Sequence, residues 1–364
     1  RSPVGVFDEK LKQNIKVNKD AIIEYLNRKE RKKIQSSEDQ KYKPFPLTDI
    51  QTAYLLGRNQ GYLYGGIGCK VYAEFLTEFT DEIIFRDAVK KLIERHEMLR
   101  VQFSKEGEQR FLPYIFNAPV QIYDIRGWEK EKIKHKILAK REEMQFKQYD
   151  PEKDILFDLC LFIHDNASIL CLSLDMLIGD FVSIDLIISD LEKLYNNQKM
   201  EKLTLNFRDY IIYNQNQKED INFLIKYYED EKYWLNKVDV FPGKPELYTR
   251  EEPEIIRKGT FICKEYTVDP KKWQYLVSKC EKLNFTPTAL LLYLYCATLN
   301  NWSRNSQFTV NITTLQRPSI HEDIQRIVGD FTTTSLFEFD GTFEGKVNAQ
   351  VEKVQSNLFE NLAH

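Results

Sequence analysis

The stretch FDLCLFIHDNASILCLSLDML (157–177) constrains the fold more than any other. It reads as a hairpin: two apolar strands joined across Asp165-Asn166, with the polar pair marking the turn. The second strand, Ser168–Leu174, delivers Asp175 at its end. Asp180 and Ser183 follow just as the pattern SIDLIISDLEKLYNN changes to a helical period, with Leu186, Leu191 and Leu194 inward. A strand end that feeds a loop and then a helix is where α/β folds commonly place chemistry.

The rest of the chain reads in the same units. Residues 7–33 give a helix and 34–43 a polar linker. In KPFPLTDIQTAYLLGR the prolines set an extended entry and Thr48 caps a helix that begins near Asp49. A strand over 67–76 precedes a helix over 80–97 with Ile84, Phe85, Ala88, Leu92 and Ile93 on one face. VQFSKEGEQRFLPYI is a hairpin with its turn near Gly107, and 128–146 is a helix. After helical segments in 207–236 and a charged, Pro-containing loop at 237–258, the theme repeats. A strand (260–267), helices (270–283 and Pro287–Trp302), a strand (FTVNITTL), a strand near 333–339 and a helix from about 344 follow. Mixed sheets are implied in both halves. At 364 residues the chain is too long for one simple core and fits two lobes.

Composition narrows the class. Hydrophobic residues are 42% and charged residues 29%, as in ordinary globular proteins. The net charge of −3 gives no field for nucleic acid or a membrane surface. Residues 1–43 hold 12 Lys/Arg against 7 Asp/Glu, which leaves the remainder at −8, the pattern of a solvated linker helix. Among the six cysteines no pair lies within four residues, so metal knuckles are absent. Cys160, Cys171 and Cys296 sit among apolar neighbours, and a reducing cytoplasm is the simple expectation. There is no signal peptide and no apolar run of the roughly 18–20 residues a bilayer span needs. Arg1 in place of Met, and a stop straight after a helical pattern, lead us to expect a piece of a longer chain.

Two clusters carry candidate chemistry. Asp175 and Asp180 lie close enough in sequence to be driven to different pKa values, one acid and one base. The same spacing fits a capping Asp180 with a solvated Asp175. In FTVNITTLQRPSI…VGDFT, Thr313 and Thr314 end a strand, Arg317 precedes Pro318, and Asp330 follows Gly329. A buried Asp near a hydroxyl could pass protons, and turn chemistry alone would give the same residues. His96, in RHEMLR, reads as a packed or capping residue, and His135 and His164 as exposed. There is no Ser-His-Asp order, no P-loop and no dinucleotide-binding glycine pattern. The glycine-rich YLYGGIG, ending at Gly68, reads as a turn.

Taken together and in order, the motifs resemble the heterocyclization branch of the condensation-domain superfamily of nonribosomal peptide synthetases. PFPLTDIQTAYLLGR, GGIGCKVYAEF, RHEMLR, LSLDMLIGDFVS, LTLNFRDY, FTPTALLLYLY, FTVNITTLQRP and VGDFTTTSL match successive signatures across 44–364. LSLDMLIGDFVS fits the diagnostic DxxxxDxxS. Ordinary condensation domains carry HHxxxDG there, and Asp175 occupies the first-His position, with no His in 174–178. Two departures stand out. Gln316 is found where an Asn precedes the Arg, and Phe181 where Ala or Gly plus Trp are usual.

The resemblance implies two chloramphenicol-acetyltransferase-like α/β lobes in a V-shaped pseudo-dimer around a tunnel. The N-terminal lobe would span 44–210 and the C-terminal lobe 211–364, with the family's bridging strand and floor loop beyond His364 and that lobe incomplete. It implies condensation of an upstream carrier-bound acyl thioester with a carrier-bound Cys, Ser or Thr, then cyclodehydration to a thiazoline or oxazoline. Asp330 is expected as acid/base and Thr313 as the residue positioning the departing hydroxyl. Asp175 and Asp180 would line or buttress the tunnel, Asp180 mainly through an ion pair with an arginine such as Arg58 or Arg317. Gln316 and Ser183 would support it, Ser183 as a helix cap. No metal or redox cofactor is implied, since substrates arrive on phosphopantetheine arms. Expected partners are the upstream and downstream peptidyl carrier domains and an adjacent adenylation domain, with no nucleic acid and no membrane. Residues 3–29 resemble part of a tubulysin-type docking domain, which would add the C-terminal tail of an upstream synthetase subunit; a plain linker helix fits them too. A condensation-only relative, a non-catalytic docking module and a free-standing acyltransferase using coenzyme A are the competing readings.

Overall fold

The computed structural model describes residues 34, 36, 38–59, 61, 65–165, 167–248 and 264–364. The helix and docking-domain likeness expected within 1–33 lie outside them. Strand β1 (Phe45–Pro46) leads into α1 (Asp49–Gly57). Thr48 starts α1 through a capping box, accepting from the Gln51 amide while the Gln51 side chain accepts from the Thr48 amide. Then come β2 (Lys70–Thr77), α2 (Glu82–Arg95), β3 (Val101–Phe103), β4 (Glu108–Phe111), β5 (Val120–Asp124) and α3 (Lys130–Phe146). The central hairpin is β6 (Phe157–Ile163) and β7 (Ser168–Asp175), followed by α4 (Phe181–Tyr195), α5 (Phe207–Gln217) and α6 (Ile221–Val238). The remainder is α7 (Pro270–Lys282), α8 (Pro287–Trp302), β8 (Gln307–Leu315), β9 (Thr332–Asp340) and α9 (Val347–Ala363).

The main sheet has the order β2-β7-β6-β5 and is mixed: β5 runs parallel to β6, and the other pairs are antiparallel. Its two central strands are apolar almost throughout because both faces are covered. Leu170, Leu172 and Leu174 pack with α2 and α4, while Cys160, Phe162 and Cys171 pack with Met144 of α3 and with Ile125. Each such fully buried leucine stabilises the fold by ~1.5–3 kcal/mol. The β3–β4 hairpin turns at Gly107, whose φ of +80° suits a residue without Cβ. In the second half, β8 pairs with β9 alone among the described residues, antiparallel, so that sheet is not mixed as expected. Phe308, Phe337 and Phe339 cover it together with Tyr293 and Cys296 of α8 and Val351, Val354 and Leu358 of α9.

The connection between β8 and β9 does not stay with its own sheet. Ile324, Ile327, Val328 and Phe331 join the core formed by the main sheet, α2 and α4. That crossing segment carries Arg317, Gly329 and Asp330 to the β7–α4 junction.

Three local expectations need correction. The strand foreseen at 67–76 begins only at Lys70, because the Gly68 amide donates to the Gln148 side chain instead of entering the ladder. Ile84 is 46% exposed: it lies in the first turn of α2, off the stripe of Phe85, Ala88 and Leu92 that meets the core. Of the strand foreseen at 260–267, residues 260–263 lie outside the described residues and 264–267 are irregular coil.

Candidate active site at the β7–α4 junction

Asp180 is the N-cap of α4 and is fully buried. Its Oδ1 accepts from the Ser183 amide at 2.7 Å, which supplies one of the donors a helix start leaves open. Arg317 reaches it across the fold with Nη2 at 2.8 Å from Oδ1 and Nε at 3.2 Å from Oδ2. The other Arg317 nitrogen donates to the carbonyls of Ile324 (2.8 Å) and Ile327 (2.9 Å), and the guanidinium lies 4.2 Å from the Phe331 ring centre. So Asp180 is the cap and Ser183 is not. Ser183 sits inside the first turn, where its amide is the group being capped.

The Ser183 hydroxyl serves the crossing segment instead. It accepts from the Gly329 amide at 3.1 Å, and its single proton lies between Asp180 Oδ1 (2.7 Å) and the Gly329 carbonyl (3.0 Å). Only glycine fits at 329. A Cβ there would stand 2.3–2.8 Å from the buried Phe207 ring.

Asp175 is 1% exposed, so the solvated alternative fails. Its Oδ2 receives Arg58 Nη2 at 2.5 Å and its Oδ1 the Leu177 amide at 3.0 Å. Arg58 also donates to the Tyr149 carbonyl at 3.1 Å. Burial pushes the Asp175 carboxyl above its usual range, with Arg58 pulling the other way. Arg58 therefore belongs to Asp175 and Arg317 to Asp180.

Asp330 is equally buried and far less satisfied. Oδ1 accepts the Thr332 amide at 3.1 Å, while Oδ2 has no partner among the described residues. Burial, with the Asp180 charge adding to it, raises this carboxyl to about 7 against the pull of Thr332 and Arg317. Such a group can be acid or base at neutral pH.

Two residues not singled out as site residues above lie within electrostatic reach of both carboxylates. Tyr54 of α1 and Cys69, just before β2, each feel the charges of both Asp175 and Asp330. The Cys69 thiol is reachable by solvent yet closely surrounded, and partial burial pushes its pKa up. The AYLLGR and GCK spellings hold these residues, and no spacing rule marks them.

Thr313 is exposed on β8, opposite Thr334. Strand alternation places Thr313, Leu315, Thr332 and Thr334 on one face, two residues along from Asp330. The Gln316 amide donates to the Phe331 carbonyl, and its exposed side chain lines a cavity of ≈ 630 Å³ with Trp234, Thr333 and Thr334. His96 is buried, with Nε2 3.0 Å from Asp190, as a packed residue at the α2 terminus.

A family model described as "Condensation domain" matches residues 41–364. Bacitracin synthase 1 of Bacillus licheniformis is 34% identical over 297 residues, 81% of this chain. Phenyloxazoline synthase MbtB of Mycobacterium tuberculosis is 27% identical over 331 residues, 89% of this chain. The chain spans 6% and 23% of the length of these two proteins. Among solved structures, the EpoB NRPS cyclization-docking bidomain from Sorangium cellulosum matches with a TM-score of 0.86 at 26% identity, covering 100% of this chain and 72% of that one. With the fold, the ordered motifs and the family match in agreement over residues 41–364, the chain belongs to the condensation-domain family of nonribosomal peptide synthetases.

Proposed function

We propose that this condensation-family domain is a heterocyclization domain. It condenses an upstream carrier-bound acyl or peptidyl thioester with a carrier-bound Cys, Ser or Thr, then closes a thiazoline or oxazoline. The observation that carries the reading is Asp330, a buried carboxyl with one empty oxygen and a pKa near 7. The absence of His from 174–178 supports it, as do the likenesses to a cyclization bidomain and to a phenyloxazoline synthase.

The chemistry follows from what each step must move. The acceptor amine attacks the thioester carbon, a C–N bond forms and the pantetheine thiol leaves. Holding both carrier arms in one tunnel between the 44–210 and 211–364 lobes makes that encounter effectively unimolecular. The Cys, Ser or Thr side chain then adds to the new amide carbon. A C–S or C–O bond forms, the carbonyl π pair moves to oxygen, and the side-chain proton ends on that oxygen. Protonated Asp330 hands its proton to this hydroxyl, which departs as water. The ring N–H proton returns to Asp330 as the C=N bond forms, so the carboxyl ends as it began. Thr313 orients the departing hydroxyl. Asp175 and Asp180 serve as supports. Asp180, Ser183 and Arg317 fix the crossing segment, and Asp175 with Arg58 fixes the loop opposite. The carrier domains on either side bring the substrates, with an adenylation domain charging one of them in the cytoplasm.

The test uses the full synthetase polypeptide, with the upstream carrier bearing acetyl, benzoyl or leucyl groups and the downstream carrier bearing Cys, Ser or Thr. Intact-protein mass spectrometry follows the acceptor carrier. Acyl transfer followed by loss of one water is expected. Acyl transfer without water loss for every acceptor would reduce the domain to condensation alone, and no transfer at all would favour a docking module.

A further inference from the structure

We propose that Tyr54 is a catalytic hydrogen-bond donor to the carbonyl oxygen that Asp330 later expels as water, an assignment that rests on the heterocyclization reading. The geometry of α1 carries it. Gln51, Tyr54 and Arg58 lie at i, i+3 and i+7, on one face of the helix. The two flanking members are anchored to the end of β7 and to the loop that follows it. Gln51 Nε2 donates to the Leu177 carbonyl at 2.7 Å, and Arg58 pairs with Asp175. Tyr54, half-buried between them on that face, lies within electrostatic reach of Asp175, Cys69 and Asp330.

The bonding account points the same way. The Tyr54 hydroxyl makes no hydrogen bond among the described residues. Asp330 Oδ2, on a side chain 1% exposed, has none either. An unused donor and an unused carboxyl oxygen within electrostatic reach of each other are the complement of a substrate amide, whose oxygen accepts and whose nitrogen gives up a proton. Burial and the neighbouring Asp330, Cys69 and Asp175 raise the phenol above its usual pKa. It stays a donor across the working range and takes no proton from substrate. As the side-chain nucleophile adds, negative charge gathers on the amide oxygen, and a fixed O–H there lowers the barrier without moving a proton.

Tyr54→Phe removes the donor and keeps the ring. In the full synthetase with acetyl- and cysteinyl-loaded carriers, ring closure should slow by roughly 10²-fold or more, the loss seen when one oxyanion donor is removed. Uncyclised acetyl-cysteinyl carrier should accumulate, with an unchanged melting curve. A ring-closure rate within about twofold of wild type overturns the assignment. A wild-type enzyme that never loses water under any acceptor loading sinks the heterocyclization reading itself, and the Tyr54 role with it.

Alkylation of Cys69 by N-ethylmaleimide, followed on its own peptide, separates the remaining cases. Acetyl-loaded carrier should shield Cys69 equally in wild type and in Tyr54→Phe. If wild-type Cys69 is not shielded while rings still form, the substrate lies elsewhere and the proposal fails. If shielding is lost only in the variant, Tyr54 serves binding and the catalytic assignment is wrong.

Discussion

Asp180 and Asp330 are 0% and 1% exposed and lie close enough to feel each other's charge, yet their surroundings differ in kind. Asp180 takes the Ser183 amide, the Ser183 hydroxyl and two nitrogens of Arg317. Asp330 is met by Thr332 alone, and its Oδ2 has no partner among the described residues. A buried charge with all its lone pairs occupied is held in place by its environment, whereas one left half-paired pushes its own pKa toward neutrality. Burial therefore does not by itself distinguish Asp330, the proposed acid and base, from Asp180. The hydrogen bonds separate a fastener from the proposed proton carrier, and they also explain why the two must be near each other. The fastener holds the segment on which the carrier sits.

The largest effect should come from breaking the fastener. Arg317→Ala leaves Asp180 buried without its cation, and it should cost ~3–5 kcal/mol in urea unfolding. Removing Asp180 as well should cost less than the sum of the two single changes, because the stranded charge disappears. A loss below about 1 kcal/mol for Arg317→Ala would mean the crossing segment is held by its apolar residues alone, and the contrast with Asp330 would collapse.

The second break falls on the proton carrier and should spare the fold. Asp330→Asn should slow ring closure by ~10²–10⁴-fold, the range for a general acid–base group, while acyl transfer continues. Its stability should move in the opposite direction from that of Arg317→Ala. The Asp330 carboxyl sits at about 7 in the folded state against 3.8 when free, so it favours folding only while protonated. That advantage is lost as pH climbs from about 4 through about 7. Asn imitates the protonated form, so the variant should be the more stable protein at pH 8, by up to about 4 kcal/mol, with the gap closing below about pH 4. Wild-type ring closure, which needs the acid form, should decline as pH rises past about 7. A gap that persists at pH 4 would assign the stability change to packing instead of charge.

How much of this was legible in the chain depends on the range of the interaction. Local signals carried well. The Thr48 cap, the Gly107 turn and the 157–177 hairpin each follow from a few adjacent residues, and the ordered motifs gave the family and its α/β fold. The partners of the site residues did not carry, because they come from far away. Arg58 and Asp175 are 117 residues apart, and Arg317 and Asp180 are 137 apart. The family resemblance offered both arginines as candidates for Asp180 and could not divide them. The same limit hid the burial of Asp175, which was open to a solvated reading until β2 and Arg58 covered it. Which face Gln316 presents was not legible for a different reason: one residue along a strand reverses the face, and the motif alone does not say which face meets the site. Tyr54 and Gly68 sit in recognisable motifs, and their roles lie entirely in what stands opposite them.

Gly68 offers the smallest and most selective test. Its amide is tied to Gln148 at 3.0 Å, and a Cβ would stand 2.8 Å from Arg58 Nη1 and 2.9 Å from Cζ. Those atoms end a flexible side chain, so Gly68→Ala should leave the backbone in place and swing the guanidinium away from Asp175. Asp175 would keep the Leu177 amide, and its carboxyl, already raised by burial, would take a proton instead of staying as a stranded charge. The cost should therefore be about 1 kcal/mol in urea unfolding, well below that of Arg317→Ala. Arg58→Ala should cost a similar amount and slow acyl transfer and ring closure together, since it loosens the site without touching the proton carrier. If Gly68→Ala is silent while Arg58→Ala is not, the guanidinium reaches Asp175 by another path, and the glycine serves the bond to Gln148 instead.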